Sequence, residues 1–242
     1  NNEKKKAILL NSKNHQKRIL ETIQKDFRLK TTPLHMECFD NSNLQGTNAV
    51  SACVVFKKGK PSKKDYRHFN VKTVSGPDDF ETMREIVYRR YKRLLSESQS
   101  LPDLIIIDGG KGQLSAACQA LKELDLEKKV AIVGIAKRLE EIFFPNDKHP
   151  LYLDKRSESL KVIQFMRNEA HRFSIKHHRN KRSKSALHSE FENIKGIGQK
   201  TKESLFKKFK TIEAIKSAKE NELAEVIGAS KAQIINEYFK QS

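Results

Sequence analysis

The sequence predicts an α/β domain built on a mixed five-stranded sheet with flanking helices, followed by a small all-α domain. Three observations carry this. Apolar runs at residues 104–107 and 130–135 enclose a stretch of helical periodicity, as parallel strands joined by a crossover helix do. Three earlier runs, at residues 34–39, 49–56 and 66–71, are separated only by Asn/Gly and Lys/Gly/Pro turn residues, as in an antiparallel meander. Beyond residue 186 the strand signal stops, and two similar Gly-containing passages with helical spacing take over.

In chain order, residues 4–27 read as a helix because Ile8, Ile19, Ile23 and Phe27 recur at helical spacing before Pro33 ends the pattern. After the meander, Pro77, Asp78 and Asp79 mark a helix start, with carboxylates favoured at its positive end. Phe80, Met83, Ile86, Val87 and Tyr91 give that helix an apolar face, and Arg84, Arg89, Arg90, Lys92 and Arg93 give it a basic exposed one. Leu114, Ala117, Leu121 and Leu124 line the crossover helix. Phe143-Phe144 and residues 151–153, split by Pro145, suggest a small hairpin, and a helix over residues 157–178 closes the unit. Residues 176–185 are basic and without apolar side chains, and read as a linker or frayed helix end. The expected domains are therefore 1–182, including the helix at 4–27, and 186–242.

Composition narrows the function. Forty-eight Lys plus Arg against thirty Asp plus Glu give a net charge of +18 over 242 residues, which points to a polyanion partner. No apolar stretch approaches the roughly 20 residues that cross a bilayer, and the first thirty residues lack a signal-peptide core, so neither a membrane nor a secreted protein is expected. Cys38, Cys53 and Cys118 form no CxxC pair, which argues against a disulfide framework or a cysteine zinc site and favours a reducing cytoplasm. The Asn1-Asn2 start suggests a fragment of a longer chain.

Asp40 and Asp108 each follow an apolar strand run, so on adjacent parallel strands their carboxylates would lie side by side at the edge where open α/β sheets bind ligands. Two hard oxygen donors on rigid strands suit Mg²⁺ or Mn²⁺ and phosphodiester cleavage. Each Asp could equally cap the turn after its strand. Gly109-Gly110-Lys111-Gly112 leads into a helix, where N–H groups and Lys111 can receive phosphate, although the spacing is not that of a Walker A loop. Lys137 follows the second buried strand as Asp108 follows the first, and is expected at the same edge. His171 stands in a polar column with Gln164 and Arg167, beside the apolar stripe of Ile163, Met166, Ala170 and Phe173, which places it at the rim of the core.

In the C-terminal domain, Gly196 and Gly198 precede a helix that begins with Lys200 and Lys202. Backbone N–H groups there can hold phosphate without reading bases, and a plain helix-packing corner is the alternative. The second copy has Gly228 alone and is a weaker phosphate grip.

Taken together, Glu37-Cys38-Phe39-Asp40, Ser75-Gly76-Pro77-Asp78-Asp79-Phe80, Ile107-Asp108-Gly109-Gly110-Lys111-Gly112-Gln113, Gly134-Ile135-Ala136-Lys137 and Arg167-Asn168-Glu169-Ala170-His171-Arg172-Phe173 resemble the C-terminal half of UvrC, the incision subunit of the bacterial nucleotide excision repair endonuclease. The resemblance spans nearly the whole chain. It implies an RNase H-like domain followed by tandem helix-hairpin-helix repeats. It also implies metal ligation and catalysis by Asp40, Asp108 and His171, an accessory role for Asp79 and an active-site role for Lys137. His171 stands where ordinary RNase H enzymes place another carboxylate, which fits a single metal. The second hairpin departs from the commoner Pro-Gly version. In that family the 3′ incision belongs to a separate N-terminal half and UvrB is engaged elsewhere, so this chain is expected to make the 5′ incision. Its expected partners are damaged duplex, single-strand/double-strand junctions and, for the full-length protein, the UvrB–DNA complex. A branched-DNA nuclease of the same fold class and a non-catalytic DNA-binding scaffold are the competing readings.

Overall fold

The computed structural model describes residues 2–42, 50–71, 78–136, 141–192, 194 and 196–240, and the chain divides into two compact units, Asn1–Ile175 and Lys176–Ser242.

The first unit opens with α1 (Asn2–Asp26), which contributes Leu20 and Ile23 to the core, joined by Phe27 just after it. The strands β1 (His35–Ser42), β2 (Val50–Lys57), β3 (Lys60–Pro61) and β4 (Arg67–Asn70) follow, and β2 pairs antiparallel with the other three. Helix α2 (Asp79–Ser96) starts where the carboxylates foretell: Asp78 Oδ1 accepts the N–H groups of Phe80 and Glu81, each at 3.0 Å. Then come β5 (Leu104–Asp108), buried throughout, α3 (Lys111–Glu123), β6 (Ala131–Ala136), β7 (Glu141–Phe143) and the first half of the long α4 (Glu158–Glu192), which runs on into the second unit.

The strand order is β3-β2-β1-β5-β6-β7, with β4 also on β2; β1, β5 and β6 run parallel, and β7 returns antiparallel. Alternation along β1 divides the layers. Glu37 and Phe39 face α2, where they meet Arg90 and Tyr91, while Asp40 faces α4.

Four expectations need correcting. The described residues form seven strands in the sheet rather than five: β3, with two residues, shows no alternation to read, and β7, one arm of the suggested hairpin, joins the sheet edge beside β6. The suggested hairpin survives as β7 with a single bridge from Ile142 to Leu151. On α2, Phe80 is 58% exposed and Arg90 is buried, the reverse of the expected faces. Residues 176–185, read as a linker or frayed helix end, are helical and belong to α4, whose span contains no Gly or Pro to end it, and the boundary between the two units falls at their start.

The second unit adds α5 (Gln199–Phe209), α6 (Ile212–Ser217), α7 (Glu220–Ile227) and α8 (Ala229–Lys240) around Phe191, Ile194, Ile197, Leu205, Ile215, Leu223, Ala232 and Ile235. Its two tight turns hold Gly196 at φ +90° and Gly228 at φ +83°, backbone that disfavours any residue with a Cβ.

Candidate active site

Asp40 and Asp108 are register partners on the parallel pair β1 and β5, so both carboxylates project from the same face at neighbouring positions. Both are buried. Asp40 does not end its strand as expected, since β1 runs on to Ser42 and pairs Asn41 with Ser51. From α4, His171 brings Nδ1 to 3.5 Å from Asp40 Oδ2 while its side chain stays 44% exposed, the predicted rim position. Neither of these two buried atoms makes a hydrogen bond. An unsatisfied buried polar atom costs about 1–3 kcal/mol, and such costs collect where a site awaits a ligand.

Electrostatics point the same way. Beneath the pair, the Cys38 thiol is pushed well up, first by burial and then by the negative charge of Asp108 and Asp40, with Arg167 opposing. Carboxylate oxygens and an imidazole nitrogen in a negative field fit a hard divalent cation. Among the described residues no group of three or more His, Cys, Asp or Glu side chains is arranged to hold a metal ion.

Asp79 reaches this edge through Asn41, the residue after Asp40. Asn41 Nδ2 donates to Asp79 Oδ1 at 3.2 Å and to its backbone carbonyl at 3.3 Å, and Asn41 Oδ1 accepts from the Ser51 hydroxyl at 2.9 Å. Lys111 opens α3, three residues beyond Asp108. Its Nζ donates to the Lys148 carbonyl at 2.6 Å and lies 5.4 Å from the Phe143 ring centre. Lys137 lies outside the described residues, and the register pairs Asp108 with Ile135, two positions earlier.

Among the helix starts singled out in the sequence, Gly110 before α3 and Gly198 before α5 provide no side-chain cap. Lys200 is exposed in the first turn of α5. Gly228 leads directly into α8, where Lys231 Nζ donates to Thr201 Oγ1 of α5 at 3.2 Å, so the first turns of α5 and α8 lie together.

The sequence reading missed Asn41 and the pairing of Glu37 with Arg90. The one local signal was a Glu inside a strand of otherwise buried residues.

Residues 24–175 match the family described as UvrC RNAse H endonuclease domain, and residues 189–238 match SAM-like Helix-hairpin-helix tandem. UvrABC system protein C of Flavobacterium psychrophilum is 61% identical over 237 residues, covering 98% of this chain and 40% of that protein. The protein of the same name from Flavobacterium johnsoniae is 63% identical over 236 residues, again 98% and 40%. That from Porphyromonas gingivalis is 59% identical over 237 residues with the same coverage. The chain thus spans about 40% of the length of the curated relatives it matches. With a mixed sheet that pairs two carboxylates under α4, and a helical tail built on two glycine turns, this chain belongs to the UvrC RNase H endonuclease family.

Proposed function

We propose that this chain is a metal-dependent DNA endonuclease that makes the 5′ incision beside a lesion in nucleotide excision repair, with water attacking the scissile phosphate. The supporting observation is the register pairing of Asp40 with Asp108, with His171 against Asp40, in a chain of this family.

Bound Mg²⁺ or Mn²⁺ would supply an activated water and stabilise the leaving oxygen. Asp40 and Asp108 would hold it from rigid strands, so the donors would need little reorganisation. His171 either completes the ligand set through one ring nitrogen or accepts a proton from the attacking water, and both roles need a neutral imidazole. Asp79, tied down by Asn41, is an accessory carboxylate, and Lys137 is assigned an active-site role. Lys111 and the start of α3 receive a backbone phosphate, for which Lys111 releases the Lys148 carbonyl. In the helical unit, backbone amides beside Gly196, Gly198 and Gly228, with Lys200, grip phosphates without reading sequence. The partners are damaged duplex, single-strand/double-strand junctions and the UvrB–DNA complex of the full-length protein; the compartment is the cytoplasm. Among the described residues no helix is long and apolar enough to cross a membrane.

The test is nicking of a lesion-bearing duplex with Mn²⁺, with the cut mapped relative to the lesion. Metal-dependent cleavage 5′ of the lesion supports the proposal. DNA binding without nicking would leave a scaffold, and a preference for branched DNA without any accessory protein would leave a junction nuclease.

A further inference from the structure

We propose that Phe80 is a stacking platform for a nucleobase of the strand being cut, an inference that rests on the nuclease reading above. Met83, Ile86, Val87 and Tyr91 of α2 are wholly buried, yet Phe80, one turn earlier on the same stripe, remains 58% exposed. The ring is nevertheless held. It lies over Gly112 in the first turn of α3, where an added Cβ would come within 2.5 Å of a ring carbon. The glycine thus makes room for the aromatic side chain, and one ring links the starts of two helices.

Those starts lie at the sheet edge that carries Asp40 and Asp108, on the α2 side of the sheet, whereas Asp40 itself faces α4. Asp79, adjacent to Phe80, is bonded to Asn41 beside Asp40, while α3 begins three residues after Asp108. The N-terminus of α3 carries no side-chain cap, so its N–H groups can take a phosphate, which would bring the base of that nucleotide within one sugar of this helix start. An exposed aromatic ring beside an anion site in a chain of net charge +18 is the pairing that single-stranded nucleic acid recognises: charge for the backbone, a π face for the base. Stacking accepts every base, as a nuclease directed by damage rather than sequence requires.

The competing role is structural, with the ring only covering Gly112. The chain contains no Trp, so Phe80→Trp introduces a single fluorophore. Titration with a single-stranded oligonucleotide in EDTA should quench that fluorescence, and an oligonucleotide of the same backbone with abasic sites should not. Phe80→Leu keeps an apolar cover on Gly112 but loses the π face. Its kcat/KM for nicking should fall about 5- to 150-fold, the worth of one base–aromatic stack, with Tm unchanged, while Phe80→Tyr retains activity. Unchanged Trp fluorescence at DNA saturation, verified by anisotropy, would overturn the inference, as would a Leu variant that nicks like the parent. Fluorescence does not depend on cleavage, which separates the two failures. Quenching in a chain that never nicks leaves stacking standing without the nuclease; nicking that Asp40→Asn abolishes, with no quenching at position 80, removes stacking alone.

Discussion

Glu37 and Asp40 are three residues apart on β1, equally buried, and point to opposite faces of the sheet. Glu37 is saturated with partners. Arg90 donates from Nη2 at 2.5 Å and Nε at 3.2 Å, the Tyr91 hydroxyl donates at 3.0 Å, and His35 Nε2 stands at 3.3 Å. Burial alone would raise this carboxyl; the contacts and charge of His35 and Arg90 overcome it and hold the group at about 2. Asp40 Oδ2 makes no hydrogen bond among the described residues and lies 3.5 Å from His171 Nδ1. The same strand therefore carries one carboxylate that clamps α2 to the sheet and one whose Oδ2 makes no hydrogen bond, the one proposed to hold a metal. Helix starts repeat the contrast: Asp78 and Thr211 cap α2 and α6 with their side chains, whereas Gly110 and Gly198 leave α3 and α5 without such caps.

Substitutions at these positions put the contrast to the test. The largest effect is expected from Asp40→Asn, which should lower metal-dependent nicking by about 10³-fold or more while DNA affinity and fold persist. Gel-based nicking alongside filter binding checks this, and retained nicking would show that Asp40 is another structural carboxylate. Glu37→Ala should do the opposite, acting on stability by stranding Arg90, at about 3–5 kcal/mol, as read by thermal unfolding. The pH dependence gives a second reading. A carboxyl lowered from 4.5 to about 2 on folding contributes stability that is present above pH 4.5 and lost as pH falls toward 2. The acid limb of Tm against pH should flatten in Glu37→Gln.

Gly198→Asp sharpens the contrast at helix starts. Gly198 has φ −83° and open space at its Cβ, so the new carboxylate fits and caps α5. The helical unit should gain up to about 1 kcal/mol, while DNA affinity and its salt slope both fall, the slope by about 0.9 for each phosphate that α5 no longer neutralises. Salt-dependent binding decides, and an unchanged slope would mean that α5 holds no phosphate. The smallest effect belongs to Thr211→Ala. Losing the hydroxyl that accepts the Ala214 N–H at 3.1 Å should cost about 1 kcal/mol of stability and leave DNA binding unaltered.

The chain's periodicities were enough to read the meander, the crossover α3, the buried strands β5 and β6, the start of α2 at Asp78 and the two glycine turns, because each is encoded within a few neighbouring residues. They also put Asp40 and Asp108 at matching places on two strands. Other features depended on how separate elements meet. Only pairing in the sheet set Ile135 opposite Asp108, and only pairing made a strand of the two-residue segment β3. Only packing chose Arg90 over its neighbouring arginines as the partner of Glu37, 53 residues away, and left Phe80 at the surface over Gly112. Periodicity fixes which side chains share a face of a helix or strand; the rotation and register of one element on another come from long-range packing, which no local pattern records.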